Sequence, residues 1–174
     1  MTVKSAWKRM VVGATGVAVA FALAACSAQP GVALNVNGTT YSEDEVSNAA
    51  MQLTELSGQP YSTAGVTYML MLEPVMRDLA KANGIEFSEE DARNALAAVK
   101  EMTGEPASEA AVTVVRTSQL YSLLERTLPP EQLSQEITET LAALDLEVNP
   151  RYGELTEDNM LYQPKLDGVV QPQF

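Results

Sequence analysis

The sequence contains no histidine and a single cysteine, Cys26. Without histidine there is no Ser-His-Asp or Cys-His nucleophilic machinery, because the base that would activate the nucleophile is missing. The same deficits remove histidine-type and cysteine-type metal sites, and one thiol cannot close a disulfide within the chain. No Gly-x-Gly-x-x-Gly run and no phosphate-binding loop occurs. Positive charge is scarce: 11 Lys and Arg stand against 23 Asp and Glu, a formal net charge of −12. A surface of that sign repels phosphate backbones, which argues against nucleic acid as a partner. A carboxylate pair is the acid–base device that this composition leaves, yet each acidic cluster falls at a helix start or on an expected solvent face. These deficits describe a protein that is not an enzyme and takes no cofactor and no metal.

Long apolar runs are also scarce. The one present, Met10 to Leu23, follows the charged start Lys4, Lys8 and Arg9. It is short for a bilayer span, which needs roughly twenty residues, and its layout is that of a secretory signal peptide. It ends in Leu23-Ala24-Ala25-Cys26, which resembles a bacterial lipobox. The resemblance implies that Cys26 receives a diacylglycerol and becomes the mature N-terminus. Residues 1–25 are then a lipoprotein signal peptide and residues 26–31 a lipidated tether. The expected location is the cell membrane, lipid-anchored on its extracytoplasmic face. Removing residues 1–25 leaves 149 residues, enough for one domain. Three basic and no acidic residues leave with the signal, so the remainder carries −15. Such a body stands off anionic headgroups. It can favour cationic segments of client polypeptides, or its charge can serve solubility alone.

The remainder is punctuated for a mainly α fold. Val32-Ala33-Leu34-Asn35-Val36, Asn37-Gly38 and Thr39-Thr40-Tyr41 spell a hairpin, because a two-residue turn needs positive φ at both of its residues. Ser42 to Glu45 fits a capping box, opening a helix that carries Val46, Ala49, Ala50, Leu53 and Leu56 and stops near Gly58. Its acidic triplet Glu43-Asp44-Glu45 is read as an answer to the helix dipole rather than as a metal site. A second helix runs from near Ser62 to Asn83-Gly84, and Pro74 inside it predicts a kink or a division. Its methionines admit two readings. Met69, Met71 and Met76, with Leu72, form an adaptable polypeptide-binding surface, or they fill the core.

Ser88 caps a third helix with buried edge Ala92, Ala95, Leu96, Val99 and Met102, closed by Thr103-Gly104. A fourth runs from Ser108 to about Thr127. Within it Val112-Thr113-Val114-Val115 has strand propensity, overridden by the flanking helical pattern. Pro130 starts a fifth, striped by Leu133, Ile137, Leu141 and Leu144. Leu146-Glu147-Val148 reads as a short strand. From Glu154 to Phe174 no period appears, so 154–174 is expected to be an extended or disordered tail, with Tyr162, Val169, Val170 and Phe174 available to dock. The expected fold class is mainly α: about five helices, with a small β element pairing the N-terminal hairpin and the short C-terminal strand.

Three stretches then resemble one family. Val36-Asn37-Gly38 followed by Tyr41 to Val46 is similar to the opening of SurA-type and PrsA-type chaperones. Leu79 to Ile85 with Phe87 to Asp91 is similar to their link between second and third helices. Val148-Asn149-Pro150-Arg151-Tyr152-Gly153 is similar to a closing sequence of Gram-positive members. The resemblance covers residues 32–153 and implies a SurA N-terminal-like helical domain. Members that isomerise prolyl bonds insert a parvulin domain of about ninety residues, which this chain lacks, along with the histidines such sites carry. The resemblance therefore implies a membrane-anchored chaperone lipoprotein without catalysis. Its partners would be unfolded or nascent exported polypeptides. An adaptor lipoprotein holding one specific folded partner is the alternative.

Overall fold

The computed structural model describes residues 30–162. The chain opens with β1 (Val32–Val36) and β2 (Thr39–Ser42), antiparallel and joined by Asn37 (φ 49°) and Gly38 (φ 84°). Both turn residues are left-handed, which is why an Asn-Gly pair stands there. Ser42 then caps α1 (Glu43–Ser57). Its Oγ accepts from the Glu45 N–H at 3.1 Å while the Glu45 carboxylate accepts from the Ser42 N–H at 2.7 Å. Gly58 ends the helix at φ 66°.

Helix α2 (Thr63–Ala82) runs through Pro74 without division. A proline inside a helix removes the N–H that the carbonyl four residues back would receive, here that of Leu70, at a cost of about 3 kcal/mol. Pro74 is buried, as are Leu70, Met71, Leu72, Val75 and Met76 around it. Burial of such side chains contributes roughly 1.5–3 kcal/mol each, which outweighs the lost bond. This helix is central: it packs against α1, β1 and the two long helices that follow.

The expected third helix is two helices, α3 (Glu89–Ala95) and α4 (Ala97–Thr103), broken at Leu96 (φ −97°, ψ 8°). The reason lies in what they pack against: α3 lies on the helix that follows Ser108 and α4 on α1. A single straight helix could follow only one of those supports. The bend places Ala92, Leu96 and Val99 in the core, while Ala95 and Met102 of the expected buried edge are exposed.

Helix α5 (Glu109–Thr127) is capped by Ser108 and takes in the valine-rich run, with Val112 and Val114 buried. The buried Gln52 pins its start, accepting from the Ser108 N–H at 2.9 Å and donating to the Pro106 carbonyl. Pro130 is the first residue of α6 (Pro130–Ala142). The chain returns as β3 (Leu146–Val148), which pairs antiparallel with β1, so the sheet order is β2-β1-β3. Around that pairing Asn149 donates to the Val32 carbonyl and to Glu43, and Arg151 meets Glu43 at 2.8 Å. The fold is therefore mainly helical, with a small antiparallel sheet closing the two ends of the domain together.

Residues 154–162 are not an extended continuation. They form a second hairpin, β4 (Glu154–Leu155) and β5 (Leu161–Tyr162). Leu155 and Leu161 pack against the core. Asn159, at φ 58°, donates to the carbonyls of Leu141 (2.8 Å) and Leu144 (3.0 Å) at the end of α6. A tight two-residue ladder with one asparagine anchor has no apolar period, so composition gave no sign of it. Tyr162 is exposed, and Val169, Val170 and Phe174 lie outside the described residues.

Candidate functional site

The methionines of α2 do not form a surface. Met71, Leu72 and Met76 are at most 1 % exposed, and Met69 is half-buried against the core. This corrects the polypeptide-binding reading of Met69, Met71, Leu72 and Met76. The cause is the central position of α2, which packs against α1, β1, α5 and α6 at once. Cys26 lies outside the described residues.

A concave surface does exist elsewhere on the same helix. Tyr68 on α2, Tyr121 and Glu125 on α5, Leu133 and Ile137 on α6, and Met160 from the second hairpin line a groove of about 290 Å³. Each wall has a sequence cause. Thr67, the residue before Tyr68, is fully buried with its hydroxyl bonded to the Thr63 carbonyl at 2.9 Å, so the tyrosine stands at the edge of the α2 core face. On α5 the buried Leu120 and Leu124 face inward, leaving Tyr121 half-buried and Glu125 exposed one turn further on. The stripe Leu133–Ile137–Leu141 turns from groove to core along α6, with Leu141 fully buried. Met160 is delivered by the Asn159 anchor beside the end of α6.

Burial pushes the Tyr68 hydroxyl above its ordinary pKa. Burial does the same for Tyr121, and the Glu125 carboxylate beside it adds to the effect. Both phenols therefore stay protonated, and serve as donors, through neutral and moderately alkaline pH. With Ser134 and Thr138 also lining it, the groove offers apolar side walls, several hydroxyls and one carboxylate. That set suits an extended chain with an apolar side chain and peptide carbonyls to satisfy. No group of three or more metal-ligating side chains occurs among the described residues.

The sequence placed Tyr68, Leu133 and Ile137 on apolar helix faces but gave no reason to join them. Tyr121, Glu125 and Met160 carry no motif that marks them as site residues. Their sign was faint: Tyr121 and Glu125 share a helix face at i, i+4 spacing, but the approach of Met160 depends on a hairpin with no periodic signal.

A smaller recess of about 100 Å³ lies where β1 and β2 meet α2, lined by Tyr41, Glu73, Pro74 and Arg77 among others. Glu73 is held there by Arg77 at 2.9 Å, with Arg116 at 3.8 Å. This recess is small and internally paired, so the groove is the better site. No described helix is long and apolar enough to cross a membrane. Compared with known protein families, with curated proteins and with solved structures, the chain matches none of them.

Proposed function

We propose that this protein is a lipoprotein anchored through Cys26 on the extracytoplasmic face of the cell membrane, and that it holds extended segments of exported polypeptides without chemically altering them. The observation that carries the reading is the groove between α2, α5 and α6, walled by Tyr68, Tyr121, Ile137 and Met160. Its mixture of apolar walls and hydroxyl donors fits a polypeptide better than a charged metabolite. The lipobox-like Leu23-Ala24-Ala25-Cys26 supports the location, since a tether there would keep the domain where chains emerge. The resemblance of residues 32–153 to SurA-type and PrsA-type chaperones supports the role. That resemblance rests on the chain's own motifs.

The test is suppression of aggregation by the full-length protein in nanodiscs, at stoichiometric ratio to a chemically unfolded client. Light scattering is followed as the client is diluted from denaturant, against empty nanodiscs and an equally acidic inert protein. Suppression beyond both controls, weakened by Ile137→Asp, is the expected result. Scattering equal to the controls would remove the holdase reading.

A second reading, an adaptor for one folded partner, is favoured by Met51 on α1 and Met102 on α4. They are 58 % and 55 % exposed on two helices that pack together. Recovery of one stoichiometric folded partner, lost on Met51→Glu or Met102→Glu, would support it.

A further inference from the structure

The residues lining the groove carry one charge between them, and it is the carboxylate of Glu125. Elsewhere among the described residues the arginines are largely spoken for. Arg77 and Arg116 flank Glu73, Arg93 bridges Glu89 and Glu109, and Arg151 meets Glu43. Glu125 belongs to none of these pairs. The following residue, Arg126, is turned about 100° around α5 and does not line the groove. Among the lining residues, then, an exposed carboxylate sits beside the half-buried ring of Tyr121.

Resting on the groove reading above, we infer that the groove selects polypeptide segments in which an apolar side chain adjoins a lysine or arginine. The apolar side chain enters among Tyr68, Ile137 and Met160. The neighbouring cation remains at the mouth, where Glu125 pairs with it and the Tyr121 ring offers its negative face. Acidic segments are turned away by the same carboxylate, and the −15 charge of the remainder of the chain after Cys26 adds a long-range component of the same sign. An exposed ion pair supported by an aromatic face gives about a fivefold preference.

The experiment measures peptide affinity by fluorescence anisotropy, with the full-length protein in nanodiscs of zwitterionic lipid. Three short peptides share one apolar centre and differ in its flanking residues: lysine, serine or glutamate. At low salt the expected order is lysine, then serine, then glutamate, with about fivefold between the first two. In about 1 M salt, where charges are screened beyond a few ångströms, the order collapses. Glu125→Gln brings the lysine-to-serine ratio close to one, and Glu125→Lys inverts the order. Glu125 is exposed, and circular dichroism reports whether each variant keeps its helices. A lysine preference that survives in Glu125→Gln would assign selectivity to the overall charge and overturn the inference. Equal affinity for all three peptides would overturn it while leaving the groove as a polypeptide site. Binding of none of them would overturn the groove reading itself, and this inference with it.

Discussion

Methionine 71 and methionine 69 are two residues apart on one helix and have opposite prospects. Met71 is fully buried and Met69 half-buried. Met71→Ala leaves a cavity in a core with neighbours on every side and should cost about 2–5 kcal/mol. Met69→Ala removes fewer contacts and should cost less than half as much. Urea unfolding followed at 222 nm reads both, and equal losses would show that the core of α2 is not where the structure puts it. A second residue-scale prediction concerns pH. The Ser88 hydroxyl and N–H both donate to Asp91, at 2.6 and 2.9 Å, and hold its carboxyl below the ordinary range. A depressed folded pKa means that the stabilisation is present above the unfolded value of 3.8. It is lost as pH falls below that value and through the folded one. Asp91→Asn should therefore destabilise the start of α3 at pH 7, with the difference from the parent shrinking below pH 4. Amide exchange at α3 checks this, and a difference that grows in acid would contradict it.

Among the elements, the short ones decide the most. Strand β3 is three residues long, yet its pairing with β1 is flanked at its two ends by the bonds Asn37 N–H to Asp145 O at 2.8 Å and Asn149 N–H to Ala33 O at 2.9 Å. Deleting Leu146–Gly153 should therefore lower the melting temperature of the whole domain rather than fray one end. An unchanged transition would refute the closure. The second hairpin depends on Gly153, where φ is 144° and a Cβ would lie 2.8 Å from Leu161 and 2.9 Å from the Tyr162 carbonyl. Gly153→Ala should force the hairpin off its seat and cost about 1–3 kcal/mol. It should also weaken the proposed peptide binding, since Met160 would no longer line the groove. The long elements were readable in advance because their signals are local: serine caps at Ser42, Ser62, Ser88 and Ser108, and stripes such as Leu133–Ile137–Leu141. The break at Leu96 was not readable. Ala92, Leu96 and Val99 keep helical spacing across it, and the bend answers to supports provided by α1 and α5.

For the molecule as a whole, the first expected outcome concerns the tether. Cys26→Ser should leave the protein soluble or unprocessed, read by membrane fractionation and intact mass. Unaltered fractionation and mass would remove the proposed lipid anchor. Class and order of the fold were legible because turns, caps and periods are properties of neighbouring residues. Asn37-Gly38 needs positive φ wherever it occurs, and Ser42 with Glu45 can satisfy helix donors without help from elsewhere. Even the sheet closure could be anticipated, since an isolated hairpin and a lone late strand each lack a partner. The groove is different in kind. Tyr68, Tyr121, Ile137 and Met160 come from four elements, and each looks like an ordinary core or surface residue in its own segment. Which methionine is interior, and which tyrosine borders a groove, depends on how many neighbours a helix acquires in packing. That number is a property of the assembled chain, because burial is settled between elements rather than within them.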